Sequence, residues 1–198
     1  MLHPHTELRF VSPDIGYGIF VTQDIPKGTI TWAKDSLDRI FTPEEISQIP
    51  QQDKENILKY TYRNHEGNYY FCWDLTRYVN HNSDANSMLT PYGFEIALRD
   101  ISAGEELTND YGTLNIIESF KCSYVKNKSR DMVHPNDLLT YADKWDQGIY
   151  QAVQKIRYVN QPLLPWISSK INQEIDLVLS GSEKLKSIKS LYFENEGN

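Results

Sequence analysis

The residues of this chain whose types and spacing could do chemistry are few. Tyr111 stands between Asp110 and Gly112 in NDYG, Asn80 and His81 lie in TRYVNHNSDAN, and Tyr17 sits between Gly16 and Gly18 in GYGIF. A tyrosine hydroxyl supplies an oxygen acceptor, and an asparagine amide supplies both an acceptor and donors. Taken singly, each has an ordinary structural role: GYG as a plain turn, His81 as a capping or core histidine, Tyr111 as the close of a strand. The Asn-His stretch asks for more than that. A tight hairpin needs two turn residues, whereas here an Asn-His pair and three further small polar residues follow a strand-like aromatic and valine run. Cys72 and Cys122 lack CxxC spacing and are too few for a disulfide framework, so both read as reduced thiols, not as zinc or redox residues.

Composition narrows the classes. The chain has 198 residues, which suits one sizeable core and a small appended part but not two full domains. Hydrophobic residues make up 39% and aromatics 12%, on the globular side, and no apolar run approaches the roughly 18 to 20 residues of a membrane span. MLHPHTELRF has neither a secretory nor a transit pattern, so a cytoplasmic location is expected. With 27 acidic and 20 basic residues the net charge is −7, which repels phosphates and favours cationic partners. No direct nucleic-acid or membrane partner is expected.

The elements that must position these residues follow from local pattern. LRFV, GIFVTQ and TITWA, separated by Pro13-Asp14, Gly16, Gly18 and Pro26-Lys27-Gly28, predict short strands. TPEEISQIPQQDKENILKYTY predicts a helical insertion over about 36–62, with Thr42 as cap, Pro43 at the first helical position and Glu45 completing a capping box. NYYFCWDL, YGFEIALRDI and ELTNDYG return to strand character, and the apolar residues of FEIAL alternate as a half-buried strand requires. From Pro135, with Asn136 as a possible cap, apolar residues recur at three- and four-residue steps to Ile156, predicting an amphipathic helix. A further helix or two is expected over about 165–191, split near Ser180-Gly181-Ser182, with Trp145 and Trp166 as anchors onto the β-rich part.

Read in order, GYGIF, DIPKGT, RYVNHNSDAN and FEIALRDISAGEELTNDYG resemble the motifs of the SET-domain protein-lysine methyltransferases over approximately residues 8 to 113. The resemblance implies an α+β class: a mainly-β SET fold of several small sheets with a pseudoknot-like threaded segment, followed by C-terminal helices. On this reading residues 1–115 form the SET domain and 116–198 a post-SET-like segment and helical extension packed on it. It implies S-adenosylmethionine as methyl donor and a lysine side chain of a protein, histone or other lysine-rich protein, as acceptor. Tyr111 would be the catalytic tyrosine; Tyr17, Gly18, Asn80, His81 and Phe120 would bind the donor, with Phe120 or a neighbour on the adenine. Trp32 and Asn109 would line the substrate channel, although a core position for Trp32 is the commoner case. Arg77 and Asp110 read equally as an ordinary buried ion pair or as direct participants in catalysis.

The sequence also departs from the family. Ser83 and Ala85 replace its Cys and Pro, and only Cys122 stands where a CxC-x4-C segment would complete a zinc site, so no metal is expected. Phe120, Tyr124 and the C-terminal helices are expected to supply order in its place. Asn109 occupies the position that helps set methylation multiplicity, usually Phe or Tyr, so the number of methyl groups does not carry across. Glu44, Glu45, Asp53 and Glu55 suit a lysine- and arginine-rich target, or are simply a solvated helix face. A competing reading, from another class, is a catalytically silent SET fold that binds a peptide or protein. Methylation of a non-protein amine is a third.

Overall fold

The structure, a computed structural model, describes residues 1–122 and 130–194. The chain runs β1 (Thr6–Ser12), β2 (Gly16–Val21), β3 (Ile30–Ala33), β4 (Arg39–Phe41), α1 (Pro43–Gln48), α2 (Gln51–Lys59), β5 (Thr61–Arg63) and β6 (Tyr69–Phe71). A 3-10 turn over Leu75–Tyr78 leads to β7 (Asn80–His81), β8 (Ser87–Leu89), β9 (Phe94–Ala97) and β10 (Glu106–Asn109). A second 3-10 turn, Tyr111–Thr113, is followed by β11 (Phe120–Lys121), β12 (Met132–Val133), α3 (Asp137–Thr140), α4 (Ala142–Val153) and α5 (Ser169–Leu179). Several small sheets with helices packed on them make an α+β protein, as expected.

Local sequence explains most of these elements. β1 and β2 form a hairpin turned at Gly16, whose φ of 85° is open to glycine at little cost. Thr42 accepts from the Glu45 amide while the Glu45 carboxylate accepts from the Thr42 amide, so the capping box forms with Pro43 in the first turn. Both α1 and α2 fall inside the 36–62 insertion. The helix expected from Pro135 to Ile156 is instead two, because Tyr141 at φ −110° and ψ 3° ends α3 before α4 begins, and Asn136 makes no side-chain cap. Gly148 does not break α4; a Cβ there would sit 3.8 Å from Leu98, an ordinary contact.

The main core lies between the sheet ordered β3-β9-β8 and the C-terminal helices. Ile30, Met88, Phe94 and Ile96 meet Leu138, Trp145, Ile149 and Val153 there. Trp145 is buried as an anchor, but Trp166 is 42% exposed. It belongs to a 3-10 turn, Leu164–Trp166, that precedes α5 and does not share its buried face. A second correction concerns β9: all four residues are buried, Glu95 included, because α4 covers one side and the sheet faces a cavity on the other. Alternation along FEIAL therefore does not mark a solvent face. A smaller cluster, Ile19, Val21, Ile25, Val79, Ile101 and Leu107, fills the space beneath the sheet ordered β1-β2-β10-β7. No helix among the described residues is long and apolar enough to cross a membrane.

Candidate functional site

The opening polar stretch finds its structural role in β7. This strand pairs parallel with β10, Thr108 opposite Asn80 and Asn109 opposite His81, and a parallel pair needs a long crossover, not a turn. Residues 82–86 continue along β10: the Asn82 amide donates to Asn109 O at 3.0 Å, and Asn86 Oδ1 accepts from the Thr108 amide at 2.9 Å. The Asn-His segment is thereby bonded to the strand that leads directly into Tyr111.

Tyr111 opens the 3-10 turn, and its position is fixed from three sides. Its amide donates to His81 Nδ1 at 3.0 Å, and its hydroxyl donates to Val79 O at 2.7 Å. Asp110 caps the turn by accepting from the Gly112 amide at 3.0 Å. Arg130 holds that carboxylate through two bonds of 2.7 and 2.6 Å and reaches Asp137 Oδ2 at 2.9 Å. Gly112 is required by this packing, since a Cβ would lie 2.7 Å from Arg130 Nη2 and 2.8 Å from Asp137 Cβ. The Arg77–Asp110 pair weighed from sequence does not form. Arg77 donates instead to the carbonyls of Trp73 and Asp74, at 2.6 and 3.1 Å, and the cation on Asp110 comes from 20 residues downstream.

His81 is buried, and burial holds its pKa below the usual histidine range against the opposing charge of Asp110. Because Nδ1 accepts from Tyr111, the neutral ring carries its proton on Nε2, which has no hydrogen-bond partner among the described residues. Phe120 meets the His81 ring edge-on at 5.7 Å and the Tyr111 ring at 6.3 Å.

A cavity of about 290 Å³ lies on the other side of Tyr111. Trp32, Tyr62, Tyr69, Val79 and Tyr111 make much of its wall, and Glu95 and Asn109 supply polar groups. Asn109 Nδ2 donates to Glu95 Oε1 at 2.6 Å and Ser87 Oγ to Oε2 at 3.3 Å. Burial raises the Glu95 carboxyl to about 7, against the two hydrogen bonds. The sequence reading named Trp32 and Asn109 as channel residues, and both line this cavity with Tyr111. It missed Glu95, which looked solvent-facing, and Tyr62, which lies at the end of the helical insertion. The only sequence signal for Glu95 was its charge inside an otherwise apolar run.

The remaining residues named from sequence gather outside the cavity lining, around β2 and β7. Asn80 Nδ2 donates to Tyr17 O at 3.1 Å and to Glu106 Oε1 at 2.7 Å. Gly18 is needed for that arrangement, because a Cβ would stand 2.4 Å from Glu106 Oε1 and 2.8 Å from Asn80 Nδ2. Gly18→Ala should cost about 1–3 kcal/mol by overpacking, read as a lower melting midpoint; an unchanged midpoint would mean the Asn80–Glu106 pair adapts freely. Tyr17 is half exposed, 5.8 Å from Phe10 and 6.4 Å from Tyr78, ring to ring. Tyr124, expected to help order this region, lies outside the described residues.

This second group offers what a sulfonium nucleoside with an amino-acid end requires. Glu106 and main-chain carbonyls are acceptors for cationic groups, Tyr17 and Phe120 are aromatic faces, and the unpartnered His81 Nε2–H is a donor. The residues therefore fit S-adenosylmethionine. Both cysteines are buried thiols outside any disulfide. No group of three or more metal-ligating side chains occurs among the described residues.

Residues 16–112 match the family model of the SET domain. Compared with curated proteins, the chain has no match.

Proposed function

The chain is a SET-domain protein, and on that premise we propose that it methylates a lysine side chain of a protein with S-adenosylmethionine as donor. The observation that carries this reading is the position of Tyr111. One residue touches both polar territories: it lines the aromatic cavity, and its amide is bonded to the buried histidine of the Asn-His segment. The SET fold is of the lysine methyltransferase type; substrate and donor are our reading. We take residues 1–115 as the SET domain and 116–198 as an extension, consistent with the burial of α3, α4 and α5 against β3-β9-β8.

The chain's residues account for the chemistry as follows. With a reference pKa of about 10.4, only roughly one lysine in 2,500 is neutral at pH 7. A cavity walled by Trp32, Tyr62 and Val79 removes water from the amine and favours its neutral, nucleophilic form. Holding that amine beside Tyr111 makes the attack effectively intramolecular. The Tyr111 hydroxyl proton is committed to Val79 O, so the oxygen turns lone pairs, not a proton, toward the polarised methyl. When bound, S-adenosylmethionine supplies an electrophilic methyl group on a positively charged sulfur. Asn80, His81 and Phe120 would hold it, and Glu106 would face its cationic end.

Calorimetric titration of the purified chain with S-adenosylmethionine tests the reading. Binding in the micromolar range is expected, and Asn80→Ala should weaken it at least tenfold by releasing Tyr17 O and Glu106. Absence of binding to the wild-type chain would overturn the enzymatic reading in favour of a silent SET fold that binds peptide.

A further inference from the structure

The cavity holds a carboxylate that the chemistry above does not use. Glu95 is only 6% exposed and lines the cavity, yet among the described residues no lysine, arginine or histidine side chain pairs with it. A buried charge without a partner is costly, so such a group either stays neutral or waits for a cation. The polar atoms around it are set for a cation. Asn109 donates an amide hydrogen to Glu95, and its Oδ1 is a buried acceptor with no hydrogen-bond partner among the described residues. Trp32, whose indole Nε1 is likewise unpartnered, and Tyr62 add aromatic surface to the same wall. Lys59, Arg63 and Arg77 also line the cavity, but none of them forms an ion pair with Glu95, so two adjoining acceptors and aromatic faces are left complementary to a primary ammonium on an aliphatic stem.

We propose that Glu95, oriented by Asn109, is the cation-binding group of this cavity: it pairs with the ammonium of the incoming side chain and accepts the proton that the ammonium must lose. In that step one N–H bond breaks, its electron pair stays on nitrogen, and the proton passes to a Glu95 oxygen. A neutral amine and a neutral carboxylic acid result. The proton-accepting role rests on the methylation reading; the cation site does not. The carboxyl value of about 7 suits the exchange, because an acid poised near the working pH both takes up and returns a proton readily. Ser87 on β8, Asn109 on β10, the Tyr62 phenol on β5, the Cys72 thiol, the Asp74 carboxylate and the Met1 amino group act on Glu95, and Lys59, Arg63, Arg77 and Tyr111 line the same cavity. Tyr62 and Cys72 are both pushed upward by burial and stay neutral across the physiological range.

The test uses the full chain and n-butylammonium chloride as probe, with n-butanol as the neutral counterpart, in wild type and Glu95→Gln. Glutamine keeps the shape and an acceptor for Asn109, and the melting midpoint reports whether the fold is intact. At pH 8 butylammonium should bind wild type at least tenfold more tightly than Glu95→Gln, while butanol treats the two alike. Wild-type affinity should fall as pH drops below about 7 and the carboxylate protonates, with no such inflection in the variant. Equal butylammonium affinity in both proteins, or none in wild type, would overturn the proposal. S-adenosylmethionine titrated into the same two proteins separates the readings. A Glu95-dependent ammonium site without donor binding would sink methylation alone, and donor binding with an ammonium affinity indifferent to Glu95 would sink the cation site alone.

Discussion

Arg130→Ala is expected to cost about 3–5 kcal/mol of folding stability, enough to threaten a fold of ordinary marginal stability. The guanidinium compensates two carboxylates, Asp110 at 0% side-chain exposure and Asp137 at 2%. Removing it leaves both charges buried against each other, and solvent has little access through which to replace it. Arg130 also covers Tyr141 and Trp145, with its guanidinium carbon 4.8 and 5.8 Å from their ring centres. Arg130→Lys should recover only part of the loss, since an ammonium cannot make the paired bonds to Asp110. Urea unfolding at pH 7 measures this directly. A loss below about 1 kcal/mol would show that water enters and hydrates the two acids.

Tyr111→Phe should reduce methyl transfer by about 10²-fold, or about 2.7 kcal/mol in the barrier, on the scale of losing one preorganised polar group. Stability should change far less, because the hydrogen bond to Val79 O that the variant forfeits is worth about 1 kcal/mol. The amide bond to His81 and the aromatic contacts with His81 and Phe120 do not involve the hydroxyl and should persist. The measurement is incorporation of labelled methyl from S-adenosylmethionine into a lysine-rich protein mixture such as core histones, with donor affinity measured in parallel. Turnover near wild type with unchanged donor binding would remove the hydroxyl from the chemistry.

What could be read from the sequence was what is local. The Thr42-Pro43-Glu45 box and the glycine turn at Gly16 depend on residues within a few positions of one another, and both took the expected form. Motif order was enough to bring Trp32, Asn109 and Tyr111 to one cavity wall. What failed to show was set by distant partners. Asp110 could not be matched to Arg130 by pattern, because the pairing depends on how α3 docks, and Arg77 stood nearer within the motif. Glu95 was hidden for a related reason. Strand periodicity tells which residues share a face, but not that both faces of β9 are covered.

The clasp around the Tyr111 turn has a consequence for the order in which the protein can become active during synthesis. Asn115, in the left-handed region at φ 49°, donates to Leu191 O at 2.7 Å and accepts from the Phe193 amide at 2.9 Å. Arg130 reaches the turn from the other side. A nascent chain that ends near residue 115 holds every motif residue named from GYGIF to NDYG and the Val79 and His81 partners of the tyrosine, but neither of these flanking restraints on its turn. Residue 193 must leave the ribosome before both flanking restraints can close on the turn, so unfinished chains should be less active than the full chain even where their motifs are complete.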